Sequence, residues 1–186
     1  MTLLVLVGPA GVGKGTVVRR ILDSEPDFML SVSATTRDPR PGEVNGEHYH
    51  FVSKPEFEIM LEQGELLEWA QVHGNHYYGA PRAEIDRAKT AQKHLILEID
   101  LQGARQVAGK HVDQVQVFLL PPGWEELEAR LRGRGTETEE QIQTRLATAR
   151  HEIAAAGEFQ HQLVNDSVAQ TAAEIVGLVR EHERGS

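Results

Sequence analysis

The apolar positions of this chain change period several times, and each change marks an element. Leu3-Leu4-Val5-Leu6-Val7 is an unbroken, β-branched run that predicts a buried strand, and Val17/Ile21 with Val18/Leu22 recur at helical spacing over Thr16 to Leu22. Phe28 to Ser33 reads as a second strand; His48 to Val52 and Leu66 to Val72 alternate, and Lys54 to Gln63 is a short helix carrying Phe57, Ile59, Met60 and Leu61. Helical patterning returns at Arg82 to Ala91. Two more buried-type strands follow, Leu95 to Asp100 and Val115 to Leu120, separated by a helical stretch. Leu127 and Leu131 predict a helix from Trp124 to Arg132, and Thr136 with Glu139 fits a capping box for a long helix through Ile142, Leu146 and Ile153. Gln162-Leu163-Val164 reads as the last strand, Ala169 to His182 as a closing amphipathic helix, and Glu183 to Ser186 as a frayed tail.

This rhythm predicts an α/β fold with a parallel sheet flanked by helices, and it breaks in two places. Between residues 33 and 81 prolines and glycines interrupt the pattern, which marks a small mixed α/β insert. Residues 126–145, with Gly133-Arg134-Gly135 between two helices, form an arginine-bearing hairpin that reads as a helical lid. The core is then 1–32, 82–125 and 146–186. In such sheets ligands bind at the C-terminal strand ends, where Gly8, Asp100 and Asn165 fall.

Composition narrows the function classes. A chain of 186 residues, 40% hydrophobic, suits one compact domain with a sizeable core. With 19 lysines and arginines against 28 acids the formal charge is −9, which argues against nucleic acid or an anionic membrane as a general partner. There is no cysteine, hence no disulfide framework or thiolate nucleophile. The apolar runs fall far short of the roughly 20 residues of a membrane span, and Met1 leads directly into the first strand, so a cytoplasmic protein is expected. The expected assembly is a monomer or small homo-oligomer.

The chemistry begins at Gly8-Pro9-Ala10-Gly11-Val12-Gly13-Lys14-Gly15-Thr16, between the first strand and the first helix. Glycines let the backbone curl so that several N–H groups aim at one polyphosphate, the helix N-terminus adds partial positive charge, and Lys14 adds a full one. The P-loop pattern holds from Gly8 through Lys14, but Gly15 stands where a magnesium-binding hydroxyl is usual, before Thr16. The alternative is a glycine turn that only links strand to helix; the strand and helix context favours a nucleoside triphosphate site.

In the insert, Arg37 and Arg40 at three-residue spacing precede Tyr49 and the pair Tyr77-Tyr78. Forked guanidinium groups suit a dianionic phosphate, and phenols complete its hydrogen bonds; composition alone favours a solvated basic loop, and the surrounding sequence reverses that. Four of the nine histidines, His48, His50, His73 and His76, also fall here, and without cysteine or a carboxylate cluster they read as surface residues rather than metal ligands.

Ser33 to Phe51, with Thr35-Thr36-Arg37-Asp38-Pro39-Arg40-Pro41-Gly42-Glu43 at its centre, closely resembles the signature of guanylate kinases. Glu65 to Ala70, Gly74 to Gly79, Glu98 to Gly103 and Arg130 to Glu139 resemble further blocks of that family in the same order, so the resemblance covers nearly the whole chain. It implies transfer of the γ-phosphoryl of Mg·ATP to GMP on a P-loop fold, with Mg²⁺ accompanying the donor. It further implies that Arg37, Arg40, Tyr49 and Tyr78 grip the acceptor's phosphate, that Ser33, Glu68 and Asp100 surround guanine, and that Arg130, Arg134 and Arg145 close over the transferring group. Asn165 matches the position facing ATP's adenine, although an Asn-Asp turn is also an ordinary helix cap. Asp100, with Glu98 on the same strand face, matches a group that orders magnesium through water.

Guanine presents N1–H and an exocyclic amine to a carboxylate such as Glu68, whereas adenine presents an acceptor; the other reading of Glu68 is a solvent-facing strand glutamate between Leu67 and Trp69. Two departures stand out. Gly74-Asn75-His76-Tyr77-Tyr78-Gly79 has one residue more than the family's usual pattern, which leaves open which tyrosine meets the phosphate, and Ala80 lacks the usual hydroxyl. Two rival functions share parts of the resemblance. A guanylate-kinase-like binding module would have lost the donor loop, which is intact here; a ribose-bisphosphate phosphokinase relative would not need Glu68.

Overall fold

A computed structural model describes residues 1–72, 76–110, 113–133 and 138–185. In chain order the elements are β1 (Leu3–Val7), α1 (Lys14–Ser24), β2 (Phe28–Leu30), β3 (Ala34–Thr35), β4 (His50–Phe51), α2 (Lys54–Glu62), β5 (Leu66–Val72), β6 (His76–Pro81), α3 (Ala83–Ala91), β7 (His94–Glu98), α4 (Leu101–Ala108), β8 (Gln114–Leu120), α5 (Trp124–Arg132), α6 (Glu139–Ala154), β9 (His161–Val164) and α7 (Val168–Gly185). Five strands pair in parallel in the order β2-β7-β1-β8-β9, which puts β1 at the centre. Alternate side chains of these strands point to opposite faces. Leu3, Val5 and Val7 pack with Leu95, Leu97 and Phe118 under the α4 side chains Leu101, Ala104 and Val107. Leu4 and Leu6 pack with Ile96, Val117 and Leu119 under Val17, Val18 and Ile21 of α1 and Ile175, Val176 and Val179 of α7.

Two smaller cores hang from this sandwich. Leu127 and Leu131 of α5 close on Ile142, Leu146 and Ala149 of α6, with Ala10 of the glycine loop against them. The insert is a four-stranded mixed sheet, β4-β3-β6-β5, with Ala34, Phe57 and Leu66 at its centre. Helix α2 is fixed there by a reciprocal cap: Ser53 Oγ accepts from Glu56 N–H, and the Glu56 carboxylate accepts from Ser53 N–H.

Several elements depart from the sequence pattern for visible reasons. The strand expected over Phe28–Ser33 ends at Leu30, because Ser31 N–H bonds Ile96 O in the core sheet while Ser33 O already accepts from His50 N–H in the insert sheet. The chain changes sheets within three residues. Val32 N–H, at that crossing, is held by the buried Glu84 carboxylate at 2.7 Å. The alternation of His48 to Val52 yields only the two-residue β4, and β6, which carries Tyr77 and Tyr78, was not expected as a strand. The capping box of α6 is Thr138 with Gln141, two residues beyond the expected Thr136 and Glu139. The C-terminal tail is not frayed through Gly185: α7 continues there, and the Glu183 carboxylate lies 3.5 Å from the Met1 amino group and 3.6 Å from His94 Nε2.

Candidate active site

The glycine loop leaves β1 and wraps the N-terminus of α1. At Gly8 (φ 150°) a Cβ would meet Leu119 O at 2.6 Å, and at Gly13 (φ 99°) it would meet Asn165 Nδ2 at 2.7 Å, so both positions exclude any side chain. Asn165 follows β9 and is 3% exposed; its Nδ2 donates to Val12 O at 2.8 Å, while its Oδ1 is buried without a partner among the described residues. The last parallel strand thus fastens the loop from the side. Lys14 Nζ donates to Gly8 O at 2.5 Å and Pro9 O at 3.3 Å. Burial lowers its pKa against the pull of Glu98, Glu152 and Asp100. Together these groups floor a cleft of about 850 Å³, lined by Pro9 to Gly11, Gly13 to Thr16, Arg19, Glu98, Arg130, Arg145, Asn165, Asp166 and Val168.

Two of the arginines expected in a lid, Arg130 and Arg145, reach this cleft from α5 and α6. Arg130 Nη1 donates to Val12 O at 3.4 Å and its other nitrogen pairs with Glu126 on the same helix; Arg145 lines the cleft from α6. Arg134 lies outside the described residues. A carboxylate that the sequence reading did not single out, Glu152, comes from the end of α6. Burial raises its pKa, and it faces Lys14, Asp100 and the Ala10 N–H. The spacing from Leu146 and Ala149 put it on the inward face of α6, which was the signal available.

In the insert, Arg37 is gathered with the tyrosines. Its Nε donates to Tyr78 Oη at 3.2 Å, its guanidinium lies 5.4 Å from the Tyr49 ring centre, and the Tyr49 and Tyr78 rings meet edge-on at 5.9 Å. Tyr77 instead turns into the insert core, stacked on Phe57 at 5.4 Å. The partner missed in sequence is Glu43. It takes Arg37 bidentately at 3.0 and 2.9 Å and accepts from Arg40 N–H at 2.6 Å. The Arg37 hydrogen bond holds the Glu43 carboxyl down to about 2, with the Arg40 N–H adding to it. The Arg40 side chain is exposed.

Glu68 is not the solvent-facing residue that strand alternation allows. Leu66, Leu67 and Glu68 are all buried, Glu68 to 6% exposure, because the β5–β6 register shifts between Leu66 and Glu68. Leu67 joins the main core, and the Glu68 carboxylate rests on α4, where a Cβ at Gly103 would come within 2.8 Å of its Oε2. Burial pushes the Glu68 carboxyl up to about 7; the charge of Asp100 adds to the rise and the Ala80 N–H opposes it. Asp100 caps α4, its Oδ1 accepting from Gly103 N–H at 2.8 Å. Ala80 is fully buried opposite Glu68. Ser33 lines a smaller cavity of about 280 Å³ with Ser31, His48, Tyr49 and Glu98, between the insert and the end of β7.

For a metal, the oxygens on offer are Glu98, Asp100 and Thr16; among the described residues no three histidines or acids gather as a ligand set. Burial raises the Glu98 pKa against Lys14, and a Cβ at Gly15 would point at its carboxylate from 3.8 Å. The arrangement suits a hydrated hard cation with few protein ligands.

A family model, described as guanylate kinase, matches residues 1–182. The guanylate kinase of Leifsonia xyli subsp. xyli is 52% identical over 177 residues, 95% of this chain and 70% of that protein. That of Nocardia farcinica is 52% identical over 177 residues, covering 95% and 92%. The crystal structure of guanylate kinase from Anaplasma phagocytophilum superposes with a TM-score of 0.72 at 31% identity, over 97% of this chain and 85% of that one. A tunicamycin resistance protein of Deinococcus radiodurans, 16% identical with a TM-score of 0.53, shares the fold alone. The glycine loop fastened to β9, the arginine–tyrosine group of the insert and the buried acid on α4 thus occur in a chain that belongs to the guanylate kinase family.

Proposed function

We propose that these residues carry the family's ATP:GMP phosphotransfer as follows, moving the γ-phosphoryl group of ATP to GMP to give ADP and GDP. The observation that carries the reading is a buried carboxylate at Glu68, with no cation against it among the described residues, joined through the charge of Asp100 to the Lys14 of the glycine loop. A carboxylate in that setting is complementary to the N1–H and 2-amino edge of guanine and opposed to the N1 acceptor of adenine; unpaired buried groups penalise the wrong base heavily. Ser33 and Asp100 complete the base pocket, while Arg37, Arg40, Tyr49 and Tyr78 take the acceptor's phosphate. The Arg37–Tyr49–Tyr78 contacts support that grouping, with Glu43 orienting Arg37.

On the donor side the N–H groups of Gly8 to Thr16 cradle the phosphates and Lys14 supplies the mobile charge. Asn165 keeps its Oδ1 for the adenine amine, since its amide nitrogen is spent on Val12 O. Arg130, Arg134 and Arg145 approach from the lid. Phosphoryl transfer leaves the protein little covalent work, so in-line positioning and charge neutralisation carry the rate. Glu98, Asp100 and Thr16 are the residues that would hold a hydrated magnesium ion, which would supply charge neutralisation for the donor's phosphates. Gly15 brings no hydroxyl to this position, and a Cβ there would stand 3.8 Å from the Glu98 carboxylate.

The separate cores of insert and lid support a domain division at 33–81 and 126–145, with each unit moving on the main sheet to exclude water. No described helix is long and apolar enough to cross a membrane, and a cytoplasmic protein that binds neither nucleic acid nor membrane is the reading that fits the charge of −9. A coupled ADP-release assay with Mg·ATP and GMP, AMP, CMP, UMP or ribose 1,5-bisphosphate tests the assignment. Turnover with GMP alone is expected; turnover with another acceptor overturns the base pocket, and silence with all overturns the phosphotransfer.

A further inference from the structure

Helix α4 meets strand β5 at two positions one turn apart. At Gly103 the absent side chain makes room for the Glu68 carboxylate. At Gln106 the carboxamide pairs with the backbone of the next residue: Nε2 donates to Trp69 O at 2.8 Å, and Oε1 accepts from Trp69 N–H at 3.1 Å. Because β5 is the outer strand of the insert sheet, these two groups face away from β6. One glutamine therefore acts as a single-residue neighbouring strand.

We infer that Gln106 is a positioning residue for guanine selection, acting through Glu68. The inference rests on the reading of Glu68 as the base-reading acid. The Trp69 nitrogen belongs to the peptide plane that begins at the Glu68 Cα, so holding it fixes the torsion that aims the Glu68 side chain. The β6 ladder alone does not do this, since its register shifts between Leu66 and Glu68, immediately upstream. The second bond, to Trp69 O, fixes the following plane, and Trp69 is clamped on its open side as a paired strand residue would be. Asp100, Gly103 and Gln106 recur every third residue along α4, so one helix face carries a base-pocket acid, the seat for Glu68 and the clamp on its strand. A carboxylate must meet both N1–H and the 2-amino group at once, which a small rotation of its strand would spoil.

The test compares Gln106→Met, which keeps length, volume and helix preference while removing both bonds, with Gln106→Glu, which keeps only the acceptor for Trp69 N–H. Rate constants are measured for GMP and for IMP, which lacks the 2-amino group, together with KM for Mg·ATP and thermal stability. Gln106→Met is expected to raise KM for GMP about tenfold and to lower the GMP:IMP ratio of kcat/KM by a similar factor, as loss of two neutral hydrogen bonds implies. The saturated kcat and KM for Mg·ATP should stay within about twofold, and Gln106→Glu should fall between. A variant that loses thermal stability yet keeps the wild-type ratio overturns the inference, because edge protection alone predicts that result. Glu68→Gln, run in parallel, separates the two readings: if it leaves the ratio intact the base-reading assignment fails, whereas a ratio lost in Glu68→Gln but kept in both Gln106 variants overturns only the role of Gln106.

Discussion

Replacing Glu68 by glutamine should make the protein more stable at pH 8 while ruining its choice of base. The carboxyl is 6% exposed, sits beside Asp100 and has no cation against it among the described residues; its pKa is pushed from 4.5 up to about 7. A raised acid pKa means that the fold favours the protonated form. Its contribution to stability is therefore fully present below the unfolded value near 4.5 and is lost as pH rises through 7. Integrated between the two values, the ionised carboxylate costs the native state about 3 kcal/mol at pH 8 and about 1 kcal/mol at pH 5. Glutamine avoids this cost but brings an NH₂ group that must find an acceptor, for which about 1 kcal/mol is deducted. The expected gain is about 2 kcal/mol at pH 8, or about 5 °C in Tm for 186 residues, disappearing by pH 5. Scanning calorimetry of the two proteins from pH 5 to 8 measures it directly. The same ionisation governs the acceptor: KM for GMP should rise about tenfold from pH 8 to pH 6 in the wild type. Equal Tm–pH slopes for wild type and Glu68→Gln would refute the argument, whatever the activity.

Four further outcomes follow from named contacts. Lys14→Met should abolish turnover while calorimetric titration still shows GMP binding, and retained turnover removes the lysine from the mechanism. Arg37→Ala should weaken GMP about tenfold or more, since it deletes a charged donor and leaves Glu43 unpaired beside the phosphate; adding Glu43→Gln should recover part of the loss, and an unchanged titration would return Arg37 to a solvated loop. Because Glu43 is held down to about 2, its stabilisation is present above pH 4.5 and lost as pH falls toward 2, so Glu43→Gln should flatten the acid limb of a Tm–pH curve. Gly103→Ala should raise KM for GMP and leave that for Mg·ATP unaltered, as its Cβ would stand 2.8 Å from Glu68 Oε2; a normal GMP KM would show that the carboxylate has room to shift.

The parts of the fold that were legible in sequence are those governed by one period. β1 is buried on both faces, and its run of five apolar residues says so; α5 was bounded to the residue by Trp124, its leucines and Gly133. What failed were places where one residue answers to two neighbours. Ser31 to Ser33 read as a continuation of the strand begun at Phe28, but its hydrogen bonds are divided between two sheets. For Glu68, alternation allowed an exposed position beside the reading as a guanine-facing acid, and only the register shift, which depends on β6, shows it turned inward beside Leu67. In the site, the glycine loop and the arginines announced themselves by residue type. The supporting groups did not: Glu43, Gln106 and Glu152 are ordinary surface residues by type, and their partners lie up to 142 residues away in the chain in the case of Glu152 and Ala10.

The charges of the site explain why these supports are needed. Glu98 and Glu152 both act on the charge of Lys14 beside the glycine loop, and burial moves each of the three pKa values toward neutrality. Glu68 and Asp100 repel each other across α4. In the proposed function, such groups would be offset by phosphate, magnesium or a guanine edge, which is the condition for binding energy to be released at the reacting atoms. A chain built this way tends to relax by swinging its side chains toward water. It is held against that by neutral contacts that cost little: the Asn165 amide on Val12 O, the Gln106 amide on Trp69, and glycines at 13 and 103 that leave no slack. Weakening one of these neutral contacts should therefore change selectivity or KM before it changes the fold, whereas removing the unpaired charge at Glu68 should change the choice of base and raise stability together.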